Sequence, residues 1–158
     1  MQTIFKSAAP LLCLLLLAGC RGFELEPPPD FVRLVEPEWS AYALRTTSAR
    51  GVVIGVREVE NEVEGTLPFW LDAVKERLRT VRGYALLDER ALSAASGEEG
   101  RLLRLGREEG STAYVYWVGL WVTPARVYVV EAGGKRDEFE KVEPQVEDAL
   151  RGFRIGAL

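Results

Sequence analysis

The sequence predicts an α+β fold in which helices pack on an antiparallel sheet. Three observations carry that prediction. Periodic segments run in the order strands, helix, four strands, helix; the last strands are joined by hairpin-length loops; and each helical segment gathers its apolar residues on one side. Segment 42–47 alternates in period two, and Gly51 opens the β-branched run 52–59, so the two read as a hairpin through residues 48–51. An acidic loop follows at 60–65. Thr66 then offers an N-cap and Pro68 sits in the first turn, where its missing N–H costs nothing. Phe69, Trp70, Ala73, Val74, Leu78 and Val81 recur at helical spacing up to Arg82-Gly83.

Residues 84–88 read as a strand and 93–100 as a turn-rich connection. Leu102, Leu103 and Leu105 lie in a further strand that ends at a hairpin signal over 108–112. Segment 113–122 is apolar at both alternating sets of positions, which requires cover on both sides. A turn at 123–125 leads into strand 126–131, which Gly133-Gly134 is expected to break. The closing helix spans 137–151, kinked or restarted at Pro144, with Phe139, Val142, Val146, Ala149 and Leu150 as its apolar stripe.

The N-terminal residues carry an address. Lys6 is the one charge before an apolar run from Ala8 to Ala18, and about 11 residues rise only ~16 Å as a helix, too little for a ~30 Å bilayer core. The run reads as the core of an export signal over 1–19. Its end, Leu17-Ala18-Gly19-Cys20, resembles the bacterial lipobox, which implies cleavage between Gly19 and Cys20 and acylation of Cys20. Cys13 leaves with the signal, so no disulfide is expected. Arg21 follows the cysteine; by resemblance to diderm lipoproteins, the lack of Asp there implies export to the outer membrane, facing the periplasm. Residues 20–30, with Pro27, Pro28 and Pro29 in a row, read as a short extended tether, and 31–158 as a single domain.

Composition removes several functions. The mature chain would carry 19 basic and 24 acidic side chains, a charge of −5, so it has no basic footprint for nucleic acid. With no histidine in the sequence, Ser-His-Asp and Cys-His relays and imidazole metal sites are excluded. The acidic loop lacks the Asp-x-Asp-x-Asp-Gly turn that wraps calcium, and Gly133-Gly134-Lys135 lacks the first glycine and the Ser/Thr of a phosphate loop. No cofactor, no metal and no enzymatic activity are expected.

The Phe69-Trp70 helix, the Gly83-Tyr84 strand start, the strand from Gly100, the doubly apolar strand, the Val-Tyr-Val-Val strand and the final segment from Phe139 to Phe153-Arg-Ile155 together resemble the PsbP-like fold. That fold is shared with DcrB-type bacterial lipoproteins and the Ran-binding Mog family. The resemblance implies an antiparallel sheet with helices on both faces and a non-catalytic role as an accessory or docking subunit. The arginine- and glutamate-rich composition and the lipobox also look like myxobacterial envelope lipoproteins, some of which serve gliding machinery. Secretion machinery is a second context.

The aromatic residues are the remaining candidates. Trp117 and Trp121 share one strand face with Val115, while Tyr114 and Tyr116 share the other; sheet core is the favoured reading, with Trp70 packing onto one face. Trp39 with Tyr42, ahead of the regular elements, is the candidate contact for a protein partner in the envelope. The alternative is a small-ligand or metal-binding periplasmic lipoprotein, which requires a pocket between helix and sheet lined by Trp or Tyr with convergent polar groups.

Overall fold

A computed structural model describes residues 22–156. Cys20 and Gly19 lie outside the described residues. The elements run β1 (Phe23–Glu24), β2 (Phe31–Arg33), β3 (Leu44–Ser48), β4 (Val53–Glu60), α1 (Leu67–Arg82), β5 (Ala85–Ser93), β6 (Glu99–Glu109), β7 (Thr112–Val122), β8 (Arg126–Lys135), α2 (Arg136–Phe139), α3 (Glu143–Gly152) and β9 (Arg154–Ile155). Seven strands form an antiparallel sheet in the order β2-β3-β4-β8-β7-β6-β5, and β1 pairs with β9. The strands from β5 to β8 form a meander. Helix α1 carries the chain from β4 to the far edge, so that β8 returns to pair with β4.

Alternation on β7 sorts the core into two layers. Val118 and Leu120 pack with Leu103, Leu105 and Leu71 under α1, while Trp117 and Trp121 pack with Phe139, Val146 and Leu150 on the opposite face. The α+β architecture with helices on both faces therefore stands. Trp121 lies 4.7 Å from the Phe153 ring and Trp117 5.1 Å from Phe139, the tilted pairings that aromatic rings prefer.

Helix α1 ends as its sequence demands. Gly83 takes a left-handed φ of 67° and its N–H bonds the Leu78 carbonyl. The Thr66 hydroxyl makes no capping bond. The buried stripe is narrower than the periodicity implied: Leu71, Val74 and Leu78 face the sheet, whereas Phe69 and Val81 are exposed. The closing helix is restarted rather than kinked, since α2 stops at Phe139 and α3 begins at Glu143 with Pro144 in its first turn.

Three boundaries differ from the sequence reading. Strand β5 continues to Ser93 and β6 opens at Glu99, which leaves a connection shorter than 93–100. Gly133-Gly134 does not break β8, because both residues stay in register with β7. The stretch read as a tether joins the fold: Phe23 and Leu25 are buried, Phe23 lies against Phe153 at 5.9 Å, and the Gly156 N–H donates to the Gly22 carbonyl at 2.9 Å. Residues 22–25, upstream of residue 31, thus pack as part of the folded unit. Burying two large apolar side chains, each worth about 1.5–3 kcal/mol, opposes the extended state that the three prolines favour.

Candidate functional site

The α1 side of the sheet is only partly covered. Next to the helix, β4 and β8 present a glycine each on that side, and a tyrosine ring lies over each glycine. A Cβ at Gly55 would come within 2.6 Å of Tyr42 Cε1, and one at Gly133 within 2.9 Å of Tyr116 Cδ2. Glycine inside a strand marks a close approach of this kind. Gly55 is also the cross-strand neighbour of Glu131, and Arg57 is two residues further along the same face. Tyr42, lying over Gly55, reaches both. Its hydroxyl donates to Glu131 Oε2 at 2.8 Å and accepts from Arg57 Nη2 at 2.7 Å, and Arg57 Nη2 also stands 3.0 Å from Glu131 Oε2. The Arg57 guanidinium carbon sits 4.5 Å from the Tyr42 ring centroid, a cation–π distance.

Beyond this triad, Tyr84 stacks on Tyr116 with ring centroids 5.1 Å apart. The tyrosines, the triad and α1 enclose a groove of about 380 Å³ whose apolar wall includes Val74, Leu78 and Val129. A second hollow of about 200 Å³ shares Tyr42, Tyr84, Tyr116 and Glu131 with it and continues over Gly55 and Gly133. Arg77 and Arg82 of α1 stand on the rim.

Burial pushes the Tyr116 phenol up from its ordinary range, and the negative charge of Glu131 adds to the rise. Burial likewise raises Tyr42, against the lowering effect of its hydrogen bond from Arg57. Both hydroxyls therefore stay protonated and able to donate near neutral pH. Burial alone would weaken the charge on Arg57; its bond to Tyr42 and the facing Glu131 carboxylate outweigh that and raise it.

Trp39 and Tyr42, paired in the sequence reading, part company. Trp39 is 87% exposed, while Tyr42 turns into the groove. The segment between is folded locally: the Ser40 N–H bonds the Pro37 carbonyl, the Tyr42 N–H bonds Ser40 Oγ, and Glu36 pairs with Arg45 at 2.9 Å. The acidic loop is organised by Asn61, whose side chain bonds Gly65, the Thr123 carbonyl and Trp70 Nε1. Glu58 and Glu60 both approach Arg126, which makes them ion-pair partners.

Sequence reasoning missed Arg57, Glu131, Tyr84 and the rim arginines. The available signal was the pair of glycines, Gly55 and Gly133, interrupting two otherwise β-branched strands.

No family model matches the chain, and no curated protein matches it. Solved structures do. The chain is similar to the cyanobacterial PsbP, CyanoP, of Synechocystis sp. PCC 6803, with a TM-score of 0.67 at 14% identity over 85% of this chain and 86% of that one. It is also similar to LpqN of Mycobacterium tuberculosis, a protein involved in cell envelope biogenesis, with a TM-score of 0.62 at 15% identity over 89% and 88% of the two chains. At such identities the likeness fixes the fold, which is PsbP-like.

Proposed function

We propose that this is a lipid-anchored, non-catalytic protein of the cell envelope, held on the outer membrane by acyl chains on Cys20 and acting as an accessory or docking subunit of a membrane-associated complex. Gliding motility and secretion machines are the contexts in view. The observation that carries the docking reading is the run of exposed apolar side chains at Val32, Val35 and Trp39, which begins on β2, an edge strand of the sheet. An exposed aromatic side chain such as Trp39, following a strand edge left unpaired among the described residues, is what a partner buries. The lipobox supports the address.

Crosslinking from intact envelopes tests both parts. The lipidated protein is expected to recover a defined set of membrane proteins that Trp39→Ser loses. Cys20→Ser is expected to block acylation and leave the precursor uncleaved. Normal processing of that variant refutes the anchor, and recovery unaffected by Trp39→Ser refutes the docking surface.

A second reading, a small-ligand-binding lipoprotein, is favoured by a separate observation. The groove joins three tyrosine rings to an Arg57–Glu131 pair within one hollow, and its volume falls in the range of small-molecule sites.

A further inference from the structure

We infer that the groove between α1 and the sheet binds a small organic anion, its acidic head held by the rim arginines Arg77 and Arg82 and its flat apolar body laid against Tyr84 and Tyr116. This rests on the small-ligand reading and gives it a chemical class.

Charge carries the first half. Three guanidiniums, Arg57, Arg77 and Arg82, line the groove against one carboxylate, Glu131. That carboxylate is already committed, since it accepts from Tyr42 and pairs with Arg57. Among the described residues Arg77 and Arg82 have no carboxylate partner. Their helix neighbours do: Lys75 pairs with Asp72 and Glu89, and Arg79 with Glu76. The groove therefore holds an excess of two positive charges on a chain whose net charge is −4. An anion between two arginines gains the ion pair and bidentate hydrogen bonds with both partners charged, where a neutral ligand gains only the weaker bonds to a charged donor.

Shape carries the second half. The Tyr84 and Tyr116 rings are stacked with an interplanar angle of 27°, and Gly133 lets the Tyr116 ring lie close on the strand. Val74, Leu78 and Val129 complete an apolar wall. A planar or hydrocarbon body buries that surface, and the Tyr116 hydroxyl, kept protonated by burial, can donate to its polar substituents.

Calorimetric titration of residues 20–158 expressed without the signal and carrying Cys20→Ser, at low and high salt, tests this with 2-naphthoate and its uncharged isostere 2-naphthamide. The naphthoate is expected to bind, weakening with salt, and the amide to bind at least about tenfold more weakly. Arg77→Gln with Arg82→Gln, both on exposed positions, is expected to cost the acid about tenfold and leave the amide unchanged. Equal affinity for acid and amide, lost together in Tyr116→Ala, overturns the anionic class while keeping the ligand groove. Binding of neither probe, with the fold confirmed intact by circular dichroism, overturns the groove as a small-ligand site.

Discussion

Adding one methyl group at Gly55 tests whether Tyr42 is held on the sheet by the absence of a side chain there. The new carbon would lie 2.6 Å from Tyr42 Cε1 and 2.8 Å from Cδ1, so the ring must move. Moving it strains its bonds to Glu131 and Arg57, while the Arg57–Glu131 pair at 3.0 Å can persist. Overpacking of this kind costs about 1–3 kcal/mol. Replacing a strand glycine by alanine returns about 0.5–1 kcal/mol, because the unfolded chain loses freedom. Gly55→Ala is therefore expected to destabilise by about 1–2 kcal/mol in the intact protein. In a Tyr42→Ala background the clash is gone and the same substitution should stabilise by about 0.5 kcal/mol. The sign reverses, and the coupling between the two positions is about 2 kcal/mol, within the range found for residues in contact. Urea unfolding of the four proteins, with slopes checked for constancy, measures it. If Gly55→Ala shifts stability equally in both backgrounds, the glycine does not exist to seat the ring.

Phe23→Ala should cost about 3 kcal/mol in the same unfolding assay, as for a buried phenylalanine, whereas Glu24→Ala on the exposed side of the same strand should stay within about 0.5 kcal/mol. Matching small effects at both would return residues 22–25 to the role of a tether. Tyr116 gives a pH signature. Its folded pKa lies above the unfolded value of about 10, so the stability it contributes is fully present below that pH and is lost as the pH rises towards the folded value. Ultraviolet titration should show its ionisation delayed until alkaline unfolding, and Tyr116→Phe should remove that late step alone; an ordinary titration near 10 contradicts the burial argument.

The fold was legible because periodicity reports burial directly. The odd and even positions of residues 113–122 separated Trp117 and Trp121 from Val118 and Leu120, and the structure assigns those sets to different cores. The errors came where a local propensity competed with a distant contact. Pro27, Pro28 and Pro29 suggested a free extended segment, yet Phe23 and Leu25 had Phe153 and its neighbours to bury against, over a hundred residues away. Gly133-Gly134 suggested a break, yet a glycine can stay in a strand when its neighbour's ring needs the space. The site was hidden for a related reason. Tyr42, Arg57, Tyr116 and Glu131 come from four separate segments, and only the return of β8 beside β4 brings them together.

The early start of the fold changes what an anchor at Cys20 would do. Only Arg21 separates Cys20 from Gly22, so their Cα atoms can be no more than about 7 Å apart. Gly22 packs beside Glu58 and Tyr128, whose side chains point to the α3 side of the sheet, whereas the groove opens on the α1 side. Acyl chains on Cys20 would hold the domain close to the bilayer by its α3 side, with the sheet between membrane and groove. A fluorophore at Glu24 should then be quenched by a headgroup-attached quencher in vesicles, and one at Arg82 spared. Inserting twelve Gly/Ser residues after Arg21 adds a flexible reach of about 20 Å and should bring the two positions towards equal quenching. Equal quenching without the insertion would mean that the domain tumbles freely on its anchor, and the contacts of Gly22 and Phe23 would then have to open at the membrane.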